Sequence, residues 1–303
     1  MSIALGPQSI ENMVRLAHEL ESRALEEVNQ KQEGRGFEFR SYHPWMSHCL
    51  NNLSDMDGSI SSLVASDEEL VRYSRALSMG NEPLGRLDGK ARYFQICLPD
   101  TTSLSEFRHL FNEILKFNGR ACPFFHNKYL SIVRQVVPIE AQDPINFPTR
   151  VNGSGFSNHH LRGLVFLSLP LSSPVQFLEG ALNLAHEAGH QALMILQCCD
   201  DILAGPIGAP VYSVIRKTSR PAILSFHAAF ATAYMIEWMM ESWEFLSEIS
   251  EPKDIRLRWK TLQDDLQAAI HIFLSQKFTP LGQLVFNELR QMHARSLSLR
   301  SGK

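Results

Sequence analysis

The stretch 177–196 constrains this chain more than any other. Apart from a few polar residues it is built from Ala, Leu, Ile, Met and Phe, holds no proline, and has only Gly180 and Gly189 as weak points, so it reads as a buried α-helix. The polar exceptions are Glu179, Asn183, His186, Glu187, His190 and Gln191. They recur at three- and four-residue steps and therefore form one stripe. Burying such groups unpaired costs several kcal/mol in total, which is tolerable where they coordinate a metal or line a wet cavity. His186 and His190 stand four residues apart, one above the other on a single helix face, a spacing that lets two imidazoles grip one metal ion with Glu187 beside them. A surface helix with two ordinary histidines would show a wider polar face.

Composition limits what surrounds that helix. The 303 residues suffice for a sizeable core, and 44% hydrophobic with 20% charged residues describes a globular protein. A formal net charge of -3 without a long basic run speaks against nucleic acid as a partner. The most apolar long stretch, 221–240, contains His227, Glu237 and several small residues, and reads as a buried helix with no membrane span expected. The first residues lack a basic segment followed by an apolar one, and the five cysteines are odd in number without paired CxxC spacing. A cytoplasmic, reducing location is the expectation.

Along the chain, helical spacing predicts helices over 8–32, 45–53, 67–77 and 101–117, with a turn-rich break at 80–85. His43, Trp45 and His48 read as an aromatic packing cluster, since a spacing of five places the two histidines on different faces. Strands are expected over 92–98 and 129–137, a loop over 140–157, and a strand within 159–170. That last strand immediately precedes the two-histidine helix, an order similar to zincin-type peptidases, in which a strand borders the cleft and pairs with an extended peptide. His159 or His160, but not both, could reach a site from its start. Residues 205–210 read as loop; helices follow over 222–248, 253–275 and 281–296, with Pro221 suited to a first helical turn. The fold class expected is α+β, mainly helical, with a zincin-like core and a small sheet next to the HExxH helix. A boundary near 90 divides a helical N-terminal region, 1–90, from a metal-binding catalytic domain, 91–303.

Two histidines do not complete a metal site, and a third ligand usually comes from a following element. His227 and Glu237 are the candidates. Ten residues apart, they lie about 15 Å along a helix axis, so both cannot hold the same ion. His227 interrupts an otherwise apolar run and is the better choice, with Glu237 as the fallback. Just upstream, Arg216 and Arg220 precede a helix N-terminus, a combination suited to holding a carboxylate.

The ordered set Arg162-Gly163-Leu164-Val165-Phe166-Leu167-Ser168, His186-Glu187-Ala188-Gly189-His190, Arg216-Lys217-Thr218-Ser219-Arg220-Pro221 and Phe226-His227-Ala228-Ala229-Phe230-Ala231 resembles the HExxH-motif family of iron- and 2-oxoglutarate-dependent peptide β-hydroxylases. Those enzymes act on ribosomally made, post-translationally modified peptides. The resemblance covers roughly 160–240, and Arg-x-x-x-Arg-Pro is its most distinctive part. It implies Fe(II) held by His186, His190 and His227, 2-oxoglutarate bound through its distal carboxylate by Arg216 or Arg220, and a precursor peptide as substrate. The chain departs from the family's Trp-Arg-Pro-Asp-Pro-Arg-Pro-like run in lacking the Trp and the acidic residue, which leaves open which arginine anchors the co-substrate. The alternative is a zincin-type zinc metallopeptidase with Glu187 as general base, which needs no carboxylate clamp. A third reading is a catalytically silent peptide-binding protein.

Overall fold

The computed structural model describes residues 63–66, 95–97, 101–133, 135–142, 155–157, 163–168 and 176–299. The helices expected over 8–32, 45–53 and 67–77, the His43/Trp45/His48 cluster, His159, His160, Arg162 and the boundary near 90 lie outside those residues. What is described is mainly helical with small sheets.

In chain order the elements are β1 (Gln95–Cys97), α1 (Thr101–Ala121), α2 (Pro123–Ile132), β2 (Gln135–Pro138), β3 (Glu140–Gln142), β4 (Gly155–Ser157), β5 (Leu164–Leu167), α3 (Gln176–Cys199), β6 (Pro210–Ser213), β7 (Thr218–Pro221), α4 (Ala222–Ser242), α5 (Pro252–Phe273) and α6 (Pro280–Ser298). A 3-10 segment, Trp243–Glu248, follows α4, so the helix expected to reach 248 tightens into a different winding after Ser242.

The strand expected over 129–137 is a correction. Residues up to Ile132 belong to α2, and only the last of the run enter β2. Pro123 opens the helix at its first turn, and Phe125, Tyr129 and Ile132 bury one face at helical spacing. The Glu241 carboxylate then accepts from the Phe124 and Phe125 amides at 2.7 and 2.9 Å, capping two N–H groups that helix geometry leaves unpaired. Tertiary capping outweighs the β-preference of the Ile and Val residues. The loop expected over 140–157 likewise contains β3 and β4 at its two ends.

β2, β5 and β4 form one sheet in that order. β2 runs parallel to β5 and β4 antiparallel to it. Leu63–Ser66 joins along β2, with the Ala65 amide donating to Val136 and the Val136 amide to Leu63. β5 is therefore an interior strand, paired on both sides and buried along its length. It offers no free edge to a peptide, contrary to the cleft-bordering role expected of it.

Helix α3 packs against both β4 and β5, as expected of a sheet beside the HExxH helix. The Gln191 side chain fixes the register. Its carbonyl oxygen accepts from the Gly163 amide at 2.8 Å, and its amide group donates to the Leu164 carbonyl at 2.6 Å. Gly163 makes this possible because its φ of 83° is open to glycine and strained for other residues.

The most extensive helix contact is that of α3 with α4. α4 is buried nearly all round, among small residues such as Ala228, Ala229 and Ala231. Its backbone comes so close that a Cβ placed on Gly189 would stand 2.7 Å from Ala231 Cα. Gly189→Ala should therefore destabilise the protein by about 1–3 kcal/mol in chemical denaturation, because overpacking against backbone outweighs the ~1 kcal/mol gained in helix propensity. An unchanged or raised denaturation midpoint would contradict this helix contact.

Candidate metal centre

On α3, His186 and His190 point the same way, and their Nε2 atoms lie 3.1 Å apart. A Glu187 carboxylate oxygen completes a set in which all ligand atoms fall within 4.8 Å of one another. With metal–nitrogen bonds of about 2.0–2.1 Å, nitrogens this far apart subtend about 95–100° at a shared ion, an angle open to tetrahedral and octahedral metals alike. The donor pair thus fits one divalent cation.

Electrostatics favours lone pairs over protons here. Both rings keep some accessible surface, yet enough protein surrounds them for burial to dominate their titration. Burial, followed by the Arg216 and Arg258 charges, pushes His186 down to about 3. His190 falls well below its ordinary value through burial, its two histidine neighbours, and Arg216 and Arg220. Neutral imidazole is the form that binds metal.

Glu187 is almost fully enclosed and accepts a 2.6 Å hydrogen bond from Ser157 Oγ on β4. Gly155 leaves the space above it, since a Cβ there would come within 2.9 Å of the carboxylate. Burial raises the Glu187 pKa to about 7, opposed by the Ser157 hydrogen bond and by Arg216.

His227 lies beside this pair but outside the 4.8 Å set. Its ring centroid is 5.6 Å from that of His190, and its Nε2 lies 2.8 Å from Gln197 Oε1. Glu237 is elsewhere. Its carboxylate is paired with the ammonium of Lys128, a fully buried lysine whose charge also faces Tyr234 at 4.5 Å. A buried cation without that carboxylate would be strongly unfavourable, so Glu237 is committed to an ion pair.

Arg216 and Arg220 sit on a hairpin. β6 and β7 pair antiparallel from Pro210↔Pro221 to Ser213↔Thr218, which puts Arg216 in the exposed turn and Arg220 on β7, half-buried. Pro221 ends β7 and stands at the N-cap of α4, one residue earlier than a first-turn position. Among the described residues neither arginine has an acidic partner, and burial together with Arg216 lowers the Arg220 pKa. The first amides of α4 are already used, with Ala222 donating to Ala209 and Ile223 to Ile207.

Several residues of the centre are not legible as such in the sequence. Ser157 reaches Glu187 from a strand thirty residues upstream, and Arg258 on α5 bonds Glu179 at 2.9 Å while its charge acts on His186. Gln197 did carry a signal, because it lies seven residues after His190 and so on nearly the same helix face.

No protein-family model and no curated protein matches the chain. Its helices hold no segment long and apolar enough to cross a membrane, among the described residues.

Two outcomes follow from this geometry. Glu237→Gln should destabilise the fold by about 3–5 kcal/mol, the range for breaking a buried ion pair, while bound metal measured by elemental analysis stays at the wild-type level; loss of metal without loss of stability would make Glu237 a ligand. For Glu187, whose pKa stands at about 7 folded against 4.5 ordinarily, the folded state holds the proton more tightly. The cost of ionising it is absent below about pH 4.5 and grows as pH rises through about 7. Metal-free Glu187→Gln should thus gain stability over wild type across that window, by on the order of a few kcal/mol, and a pH-independent difference would contradict it.

Proposed function

We propose that the chain is an Fe(II)- and 2-oxoglutarate-dependent oxygenase that hydroxylates a side-chain β-carbon of a ribosomally made peptide. The observation that carries this reading is the pair of guanidinium groups, without acidic partners among the described residues, beside two facing neutral imidazoles. Hydrolysis of a peptide bond has no need of such a pair. We read the surrounding helix-and-sheet arrangement as a zincin-like core put to oxidative use.

In this reading His186 and His190 would hold Fe(II), with His227, here turned to Gln197, as the third ligand, and the ion would supply activation of dioxygen coupled to oxidative decarboxylation of 2-oxoglutarate. Arg220 is the better anchor for the distal carboxylate of the co-substrate. It is half-buried on β7, where a charge-assisted hydrogen bond is less screened by water than one made by the exposed Arg216. Arg216, whose charge is felt by His186, Glu187 and His190, biases the whole centre toward anions. Glu187, tied to Ser157, keeps the helix face and β4 in register and is held away from free solvent. Fe(II) site, peptide substrate and cytoplasmic location belong together in this proposal.

One observation favours a second reading. A buried carboxylate with a pKa of about 7, near both imidazoles, is suited to proton abstraction from a water, so a zinc metallopeptidase with Glu187 as general base is the alternative.

The two readings separate when purified protein is incubated with a precursor peptide encoded beside its gene, Fe(II), 2-oxoglutarate and air, and the peptide mass is read. A gain of one oxygen that vanishes without 2-oxoglutarate is expected; shortened peptide formed with zinc alone would overturn the oxygenase reading. His190→Ala should abolish the mass gain. Arg220→Ala should raise the KM for 2-oxoglutarate roughly 10- to 150-fold, the equivalent of a charged hydrogen bond, and more than Arg216→Ala does. Unchanged KM in Arg220→Ala would remove it as the anchor.

A further inference from the structure

The β6–β7 hairpin turns one face to the protein and the other to water. Its register sets Val211 opposite Arg220 and Tyr212 opposite Ser219, and side chains alternate along each strand. Buried Val211 and Ser213 therefore share the inner face with half-buried Arg220, while Pro210, Tyr212, Ser219 and Pro221, all exposed, share the outer one. Apolar surface continues beyond the strands. Ile207 lies three residues before Pro210, and its carbonyl accepts from the Ile223 amide, which brings it to the first turn of α4, where Leu224 is exposed. Ile207, Tyr212 and Leu224 are 50%, 53% and 43% exposed, whereas most large apolar side chains of the described residues are buried. An exposed apolar patch rimmed by polar groups marks an interaction site.

This surface suits side-chain contact and not an added strand. Ala222 donates to Ala209, so by alternation the N–H positions facing away from the hairpin are 210 and 212 on β6 and 219 and 221 on β7. Prolines occupy 210 and 221 and have no N–H to give. Charge selects the occupant. The turn joining the strands carries Arg216 and Lys217, both exposed and neither in an ion pair among the described residues. Asp265 on α5 feels the Lys217 charge without pairing with it. Arg216 also acts on His186, Glu187 and His190, so the turn is the end of the hairpin next to the candidate centre.

We propose that the outer face of the β6–β7 hairpin, with Arg216 and Lys217 at its tip, docks an acidic and apolar segment of the peptide substrate, outside the residue that reacts. This rests on the reading of the chain as a peptide-modifying enzyme, and it leaves Arg220, on the inner face, to the co-substrate. Apolar side chains of the segment cover Ile207, Tyr212 and Leu224, and its carboxylates meet the cations of the turn.

Docking is read by fluorescence anisotropy on the full chain without added Fe(II) or 2-oxoglutarate, so that its failure and the failure of the oxygenase reading are separate results. The probes are short fluorescein-labelled peptides of Leu and Glu, with counterparts in which Gln or Lys replaces Glu. Wild type is compared with Tyr212→Ser, Arg216→Glu and, as a control, Leu297→Ser at an exposed leucine of α6. The Glu probe is expected to bind wild type more tightly than the Gln probe, and the Lys probe least, with an affinity that falls as salt rises. Tyr212→Ser and Arg216→Glu should each weaken the Glu probe by about 10-fold or more, and Leu297→Ser should leave it unchanged. Thermal unfolding checks that each variant keeps the fold, and should one be lost the other carries the test. No binding of the Glu probe to wild type, equal binding of the Glu and Lys probes, or wild-type affinity in either folded hairpin variant overturns the proposal. So does a concentration-dependent association of the chain with itself that Tyr212→Ser abolishes, since the face then belongs to a second copy. Docking without any mass gain on a precursor peptide would remove the oxygenase reading and not the docking face.

Discussion

Everything at the candidate centre depends on how closely α3 and α4 approach at Gly189. Two histidines on α3 can face one ion by helix periodicity alone, but a ring from another element reaches them only if the two backbones nearly touch. Gly189 against Ala231 provides that contact, and the neighbouring alanines of α4 keep it free of bulk. The same small residues that make 221–240 look like an undifferentiated apolar run are what admits His227 to within a ring's width of His190. Helix packing here sets the dimensions of a chemical site.

The polar stripe of α3 is used residue by residue, and this explains why an otherwise buried helix tolerates it. Glu179 meets Arg258, Glu187 meets Ser157, Gln191 holds the start of β5, and Gln197 meets His227. Among the described residues His186 and His190 chiefly face each other, and two neutral imidazoles gain less from one hydrogen bond between them than from a shared cation. The positive charges of Arg216, Arg220 and Arg258 reinforce that neutrality and make the surroundings of the pair attractive to anions. Among the described residues Arg216 and Arg220 have no acidic partner, and it is this juxtaposition with the imidazole pair on which the proposed pairing of a metal with a carboxylate rests.

Much of this was legible in the sequence where local periodicity governs structure. The two-histidine helix, the two C-terminal helices and the helix carrying His227 follow from spacing and apolar runs, whereas the pairing of Glu237 with Lys128, more than a hundred residues upstream, does not. What escaped depends on contacts distant in sequence. The run 129–137 looks like a strand because its Ile and Val residues prefer one, and its first four residues become helical because Glu241, more than a hundred residues later, caps α2. β5 looks like an edge until β2 and β4 pair on either side of it, and the hairpin carrying Arg220 goes unforeseen because four-residue strands leave little periodicity to detect. Gln197, whose side chain meets His227 at 2.8 Å, lies on the most conspicuous helix of the chain, but a glutamine there gives no signal of its own in the sequence for a partner on another helix.

The most direct measurement is optical. Fe(II) and 2-oxoglutarate are added anaerobically to the purified protein, separately and then together, and the visible charge-transfer absorption of a 2-oxo acid chelated to Fe(II) is followed. The account predicts a band that requires both additions, saturates at one equivalent of each, and is absent from His190→Ala. A protein that binds zinc tightly but gives no such band with Fe(II) and 2-oxoglutarate would contradict it.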